Sequence, residues 1–397
     1  MRDLFKKFLL KNFFIANQMY KYFRLLPNFF KKILIEFYFF FPKQKSIFPS
    51  RLTIFLTDKC NMKCGHCFII KEVPKKTNEL SLEDYKKIFS SLEGKTSQIL
   101  FTGGEPTLRK DFYDIIYHAY YLGGVSTVSI FSNSFYPDET CDLISKILLN
   151  TKLNIHYHTS IDGEKQFHNF NRRVRGSYDK VKETIVKLNN LKGSYKKRLS
   201  RIVVNVSISK YNNDQLGEVI NDFKGQNCLF GFGFTRHNNK VLNIKPEYIT
   251  EDLGVEKFKS DGNEKFSDGF LNVKEMKDIY NYLDKNVWSL NDQELIYAFQ
   301  KISMNGRIAF DEKNISPISI ECGMGYDDLV ILTNGKIARC EMLKPFANLK
   351  DYDFNLNKFY ENENTKLYLK NTSGCFCEHE CAISVTAMSD KKLLKNF

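Results

Sequence analysis

From residue 51 onward, short runs of apolar residues alternate with longer stretches in which apolar positions recur every three or four residues. The short runs fall at 52–56, 99–101, 125–131, 153–161, 202–209 and 229–234, and their length and composition predict six strands. The stretches between them carry apolar stripes, Leu82, Tyr85, Phe89 and Leu92 in one and Phe112, Ile115, Ile116 and Ala119 in the next. That spacing buries one face of a helix. Ser81 followed by Asp84 marks the first helix start, because hydroxyl and carboxylate can each accept an amide of the opening turn. Strand and helix in alternation build βα units around a parallel sheet. Six units are fewer than a closed barrel holds, so the expected fold is α/β, a partial (βα)6 TIM-like barrel with its functional groups at the C-terminal strand ends.

The pattern changes on either side of this barrel. Residues 246–310 begin with a polar stretch around Asp261 to Asp268 and continue with helical patterns at 273–283 and 293–302, which predicts a helical connection. Farther on, apolar runs at 329–332 and 336–338 flank Thr333-Asn334-Gly335, and Asn-Gly is a favoured hairpin turn. Upstream, Phe30, Ile33, Leu34, Phe37 and Phe41 repeat at helical spacing with Lys31 and Lys32 off the stripe, until Pro42 ends the run. The expected division is a basic amphipathic helical extension at 1–50, the barrel at 51–245, the connection at 246–310 and a small cysteine-rich domain at 311–397.

Composition, with 43% apolar and 26% charged residues, excludes global disorder and a multi-span membrane protein. The net charge of +13 matters more, and its distribution is uneven. Residues 1–50 hold ten Lys or Arg against only Asp3 and Glu36, a net of +8. The apolar runs of this segment are interrupted by charge and no cleavage site follows, so a secretory signal is not expected, nor do they reach the ~20 residues of a spanning helix. The expected location is cytoplasmic. Residues 1–45 have two readings, packing against the barrel or lying peripherally on the inner membrane face, where Lys and Arg meet anionic lipid and Phe enters the interface. No nucleic-acid partner is expected.

Ten cysteines in a reducing compartment point to metal ligands before disulfides. Cys60, Cys64 and Cys67 follow the first strand at C-x3-C-x2-C spacing, while Cys322, Cys340, Cys375, Cys377 and Cys381 gather near the C-terminus. Three thiolates on one loop leave a [4Fe-4S] cubane with one open iron able to chelate an amino acid's amine and carboxylate. A zinc loop would need a fourth ligand, for which His66 stands awkwardly between two cysteines. Cys141 and Cys228 read as buried, unreactive thiols. His156, His158 and His237 receive no role, and Arg236, at the end of the sixth strand, reads equally as a carboxylate contact or as a surface or structural arginine.

The residues Cys60-Asn61-Met62-Lys63-Cys64-Gly65-His66-Cys67-Phe68 resemble the signature of the radical SAM superfamily, an aromatic following the last cysteine. The second strand ends in Thr102-Gly103-Gly104-Glu105-Pro106, similar to the family's GGEP turn, which receives the amino group of S-adenosylmethionine. Physically, glycines permit close backbone approach, and exposed main-chain groups with Glu105 can hold an ammonium. Ser132-Asn133 matches the polar pair facing the same cleft. Thr159-Ser160-Ile161-Asp162-Gly163, with His168, Arg172, Gly176, Ser177 and Tyr178, resembles the SxDG segment of peptide-maturing members, Asn169 standing where an aspartate is usual. The resemblance implies Ser160 as a ribose contact, Asp162 as a loop-shaping residue, and Arg172 as part of the cofactor site.

The C-terminal cysteines resemble SPASM and twitch extensions, which bind auxiliary clusters. This chain has fewer cysteines than the full SPASM pattern, so one auxiliary [4Fe-4S] cluster is expected, on Cys322, Cys340 and Cys381 with Cys375 and Cys377 competing for the fourth place. Four of the five would also suffice for a zinc ribbon. The resemblance implies an enzyme, an oxidoreductase or bond-forming maturase. An external donor such as flavodoxin or ferredoxin reduces the first cluster, S-adenosylmethionine is cleaved to a 5'-deoxyadenosyl radical, and that radical abstracts hydrogen from the substrate. A peptide is the leading substrate class, and a sugar or lipid precursor the second. A non-catalytic iron-sulfur or nucleic-acid-binding protein on the same fold is the reading of another class, against which stand all three cysteines, the GGEP turn and the SxDG segment.

Overall fold

The computed structural model describes residues 48–65, 67, 78–195, 198–235, 270–291, 295–313, 322–341, 343 and 345–370, with scattered residues between 19 and 34. All six expected strands form: β1 (Arg51–Phe55), β2 (Gln98–Thr102), β3 (Thr127–Phe131), β4 (Asn154–Ser160), β5 (Leu199–Ile208) and β6 (Leu229–Phe234). They pair in chain order and in parallel. Between them run α1 (Leu82–Ser90), α2 (Phe112–Tyr121), α3 (Pro137–Asn150), α4 (Lys165–Arg172), α5 (Ser177–Tyr195) and α6 (Leu216–Asp222), so the chain is the α/β partial barrel that its alternation predicts.

The start of α1 follows the Ser81 and Asp84 pattern. The Asp84 amide donates to Ser81 Oγ at 3.2 Å and the Ser81 amide to the Asp84 carboxylate at 2.9 Å, a reciprocal cap worth roughly 0.5–2 kcal/mol. The face it presents is buried through Tyr85, Ile88 and Phe89. These join one core with Leu52 and Ile54 of β1, Ile99 and Phe101 of β2, Val128 and Ile130 of β3, and Ile155 and Tyr157 of β4. Because strand side chains alternate, the intervening residues face the other way, and that concave face is polar. Gln98 Nε2 donates to Ser129 Oγ at 3.0 Å, and Ser129 Oγ lies 3.5 Å from His156 Nδ1.

The sheet continues past β1. Three further strands, β7 (Asp328–Ile331), β8 (Lys336–Ala338) and β9 (Ala347–Asn348), extend it to the order β6-β5-β4-β3-β2-β1-β7-β8-β9. The expected hairpin is β7 and β8, antiparallel, and Gly335 takes the positive φ of +83° that its turn requires. β7 lies parallel to β1. The join is polar and buried: Arg51 donates to Asp328 Oδ2 from Nε at 2.9 Å and from Nη2 at 2.7 Å, and Thr53 Oγ1 donates to the same carboxylate at 3.1 Å. At the opposite edge, α7 (Val273–Leu283) and α8 (Leu295–Lys313) follow the sequence's helical patterns. Gln300 of α8 covers edge strand β6, accepting from the Phe232 amide at 3.1 Å and donating to the Phe230 carbonyl at 2.6 Å, which satisfies groups that an open edge would expose.

Candidate metal and cofactor site

Thr57 to Cys67 leave β1 at the C-terminal end of the barrel. Thr57 Oγ1 donates to Glu79 Oε1 at 2.6 Å, the Asp58 amide donates to the same oxygen at 3.2 Å, and Thr333 Oγ1 of the β7–β8 turn donates to Asp58 Oδ2 at 3.0 Å. Arg109 braces the same end of the strand, donating to the Leu56 carbonyl at 2.9 Å and the Leu80 carbonyl at 2.6 Å. On this base Cys60, Cys64 and Cys67 stand half-buried, close enough to influence one another's charge. Burial pushes the Cys64 thiol up to about 11, with Arg172 pulling the other way, and burial also raises Cys60. Among the described residues no three Cys, His, Asp or Glu side chains gather around a single ion, whereas cluster thiolates bind separate irons. The Met62 amide donates to Cys60 Sγ at 3.4 Å. The neighbouring Asn61 Nδ2 is a buried donor without a partner, of the kind that a sulfide or a carboxylate satisfies. The donor set therefore fits an iron-sulfur group.

The GGEP turn packs on this loop more tightly than the sequence suggests. A Cβ on Gly104 would lie 2.1 Å from the Lys59 carbonyl oxygen, and one on Gly103, whose φ is +134°, 2.6 Å from that of Thr57. The Gly104 amide donates to Thr57 O at 2.7 Å and the Glu105 amide to Lys59 O at 2.8 Å. Both glycines are thus required by contact with the cysteine loop itself, and those two amides are committed to it. Glu105 is 1% exposed. Burial raises its carboxyl, against donors from Asn133, Thr107 and Ser132. The Asn133 amide meets Oε2 at 2.6 Å, and the Thr107 hydroxyl meets Oε1 at 2.7 Å. Pro106 opens a short 3-10 turn, Pro106–Leu108, directly behind it.

Ser132 and Asn133, at the end of β3, join the same network. Ser132 Oγ accepts from the Ser134 amide at 3.0 Å, and Asn133 Nδ2 donates to Asn61 Oδ1 at 2.7 Å, with Cys60 Sγ 4.0 Å away. Ser160, at the end of β4, is half-buried and carries no side-chain hydrogen bond among the described residues.

The SxDG segment folds into a knot behind Cys64. Arg172, the last residue of α4, donates to Asp162 from Nε to Oδ2 at 2.6 Å and from Nη2 to Oδ1 at 2.7 Å. Burial works against the guanidinium charge, and Asp162 and the Cys64 sulfur, to which Arg172 also hydrogen-bonds, outweigh it. Asn171 Nδ2 donates to Asp162 Oδ2 at 2.7 Å, while its carbonyl accepts from the Gly65 amide at 2.9 Å. The Asp162 amide donates to His168 Nδ1 at 3.1 Å, and Asn212 Nδ2 donates to the Asp162 carbonyl. Asn169 Oδ1 accepts from the Ser177 hydroxyl at 2.9 Å and the Tyr178 amide at 3.0 Å at the start of α5. That task needs an acceptor and no charge, so the uncharged asparagine serves.

The C-terminal cysteines are described in part. Cys322 precedes β7 half-buried and Cys340 follows β8 buried, both at the end of the hairpin away from its turn. Cys375, Cys377 and Cys381 lie outside the described residues, as do His66, Phe68, Arg236 and His237. Cys141 and Cys228 are half-buried where full burial was expected, and partial burial still pushes the Cys228 thiol up to about 11. Glu79, Arg109 and Asn171 escaped the sequence reading. Glu79 and Arg109 lie outside the recognised motifs, and Asn171 acts through one carbonyl and one amide group that no pattern singles out.

Residues 54–222 match the radical SAM superfamily. The chain is 24% identical over 326 residues to GTP 3',8-cyclase of Clostridium botulinum, covering 80% of this chain and 89% of that protein. It is 27% identical over 201 residues to the sporulation killing factor maturation protein SkfB of Bacillus subtilis, covering 50% of this chain and 44% of that one. Among solved structures, Streptococcus suis SuiB bound to precursor peptide SuiA is similar with a TM-score of 0.52 and 15% identity, over 87% of this chain and 74% of that chain, a likeness of fold. Together with a three-cysteine loop on β1 locked to a GGEP turn on β2, these findings make residues 54–222 a radical SAM domain and the chain an enzyme.

Proposed function

We propose that this enzyme modifies a peptide, and that Cys60, Cys64 and Cys67 hold its [4Fe-4S] cluster. The observation that carries the site assignment is the knot joining the cysteine loop to the GGEP turn and, through Arg172, to Asp162. When bound, cluster and S-adenosylmethionine supply reductive cleavage of the sulfonium and abstraction of a hydrogen atom from the substrate. The chain's residues position and enclose. Gly103, Gly104, Glu105 and Pro106 fix the cysteine loop and offer the amino group of S-adenosylmethionine the main-chain carbonyls of the turn. Ser132 and Asn133 tie β3 to that loop. Ser160, whose hydroxyl no described residue claims, is the ribose contact. Arg172, neutralised by Asp162, supports Cys64. Electrons come from a donor such as flavodoxin or ferredoxin, and Cys322, Cys340 and Cys381, with Cys375 or Cys377, hold one auxiliary [4Fe-4S] cluster in a SPASM-like or twitch-like domain.

The peptide reading is supported by similarity to SkfB, a maturation protein, and by the fold shared with SuiB bound to a precursor peptide. A nucleotide substrate is the second reading, favoured by the longer alignment with GTP 3',8-cyclase. Anaerobic reconstitution, reduction with dithionite and assay for 5'-deoxyadenosine test the activity, which the Cys60→Ala, Cys64→Ala, Cys67→Ala triple variant must lose together with about four irons. A mass change in peptides encoded beside this chain's gene supports the first substrate class, and consumption of GTP the second.

A further inference from the structure

The described residues of the N-terminal extension present apolar side chains outward. Tyr22, Leu25 and Phe29 are 72%, 71% and 68% exposed, and Phe30, Ile33 and Leu34 are exposed as well. The described residues on both sides of Pro27 are largely helical, with the Lys31 amide donating to the Pro27 carbonyl at 3.1 Å. Intervals of three and four residues set these side chains on a stripe of each segment. Lys31 is half-buried. A helix folded onto its own barrel turns aromatic residues in and lysine out, the reverse of this arrangement.

The charge of the sequence that carries this face states what it fits. Residues 1–50 carry Arg2, Lys6, Lys7, Lys11, Lys21, Arg24, Lys31, Lys32, Lys43 and Lys45 against Asp3 and Glu36. We infer that the exposed apolar residues described between 19 and 34 form a docking face for an anionic lipid bilayer, Phe29, Phe30, Ile33 and Leu34 entering the boundary of the acyl chains while basic residues of this stretch of sequence meet lipid phosphate. A nucleic acid would use the charge and leave six large apolar side chains in water. A lipid surface uses both. No helix of the described residues is long and apolar enough to cross a membrane, and segments interrupted at Pro27 suit a place in the plane of the interface. The inference is independent of the chemistry in the barrel.

The test is co-sedimentation of the full-length, reconstituted protein with vesicles of phosphatidylcholine alone and of phosphatidylcholine mixed with phosphatidylglycerol, in low and high salt. Binding is expected on the mixed vesicles only, falling roughly tenfold or more from about 0.1 M to about 0.5 M salt as the Debye length shrinks. The Phe29→Glu, Phe30→Glu variant is expected to lose roughly tenfold or more of that binding, with iron content and 5'-deoxyadenosine formation unchanged. Equal binding to neutral vesicles, no binding by the intact protein, or undiminished binding by the variant overturns the inference. A wild-type dimer in light scattering that the variant dissociates overturns it too, assigning the face to a second copy of the chain.

Discussion

Arg172 and Asp162 form a bidentate, buried ion pair, with bonds of 2.6 and 2.7 Å, whose cationic partner also reaches the Cys64 sulfur. The pair therefore does two things at once. It closes the SxDG loop on α4, and it sets a positive charge, balanced by a negative one, behind Cys64, the proposed cluster ligand. Hydrogen bonds and charge near the sulfurs tune a cluster's potential, so the two members of the pair must act in opposite directions.

The Arg172→Gln variant is expected to shift the cluster's reduction midpoint to more negative values, and Asp162→Asn to less negative ones. Redox titration followed by electron paramagnetic resonance checks this on protein with full iron content. Either single change also leaves a buried charge uncompensated, at a stability cost of about 3–5 kcal/mol, and the double variant should recover much of it. Two shifts of the same sign would defeat the electrostatic account.

The tightest contact in the site gives a steric prediction. Gly104→Ala sets a methyl group 2.1 Å from the Lys59 carbonyl oxygen, so the cysteine loop must move. Iron content after anaerobic reconstitution should fall to less than half of wild type while circular dichroism stays that of a folded barrel. Gly193→Ala, where nothing lies within 4 Å, is the control and should retain full iron.

The barrel was legible because each strand and helix announces itself by period, and the cysteine loop because three thiols at fixed spacing are rare. The reason for the glycines was not. From sequence, Gly103 and Gly104 admit a ligand, whereas the structure shows them admitting Thr57 and Lys59. That relation joins residues more than forty positions apart, and no local pattern carries it. The same holds for β7, whose parallel pairing with β1 rests on Arg51 and Asp328, 277 residues apart. The role of Gln300 in covering β6 is a third example, since a glutamine on a helix is ordinarily solvated.

Ser160 and Ser132 separate binding from stability. Ser132 is 7% exposed and accepts the Ser134 amide, so Ser132→Ala should destabilise the fold by roughly 1–3 kcal/mol in urea unfolding. Ser160 has no such bond, and Ser160→Ala should leave unfolding unchanged while weakening S-adenosylmethionine binding roughly fivefold to tenfold, the worth of one hydrogen bond. Equilibrium binding to the reconstituted enzyme measures it. An unchanged affinity would remove Ser160 from the cofactor site.

The polar concave face of the sheet makes the fold sensitive to acid. His156 is buried beside Ser129, and His158 stacks on Phe131 with ring centroids 4.2 Å apart. Burial, with the nearby Arg201, holds both imidazoles neutral, His156 well below its ordinary value and His158 down to about 3. An unfolded chain protonates these histidines near pH 6.5 while the folded chain does not, so their contribution to stability is complete above that pH. It is lost as pH falls from 6.5 toward 3. Each histidine should contribute about 1.4 kcal/mol of loss per pH unit in that window. His158→Phe keeps a ring against Phe131 and removes the titrating group, and Asn205 Nδ2 keeps its bond to the Thr159 carbonyl at 2.9 Å. Urea unfolding of the metal-free chain at pH 7.5 and 5.5 should therefore show a smaller acid-dependent loss in this variant than in wild type, by about 1.4 kcal/mol, even where the substitution changes stability at pH 7.5. Equal losses in the two proteins would mean that His158 already takes up its proton in the folded barrel.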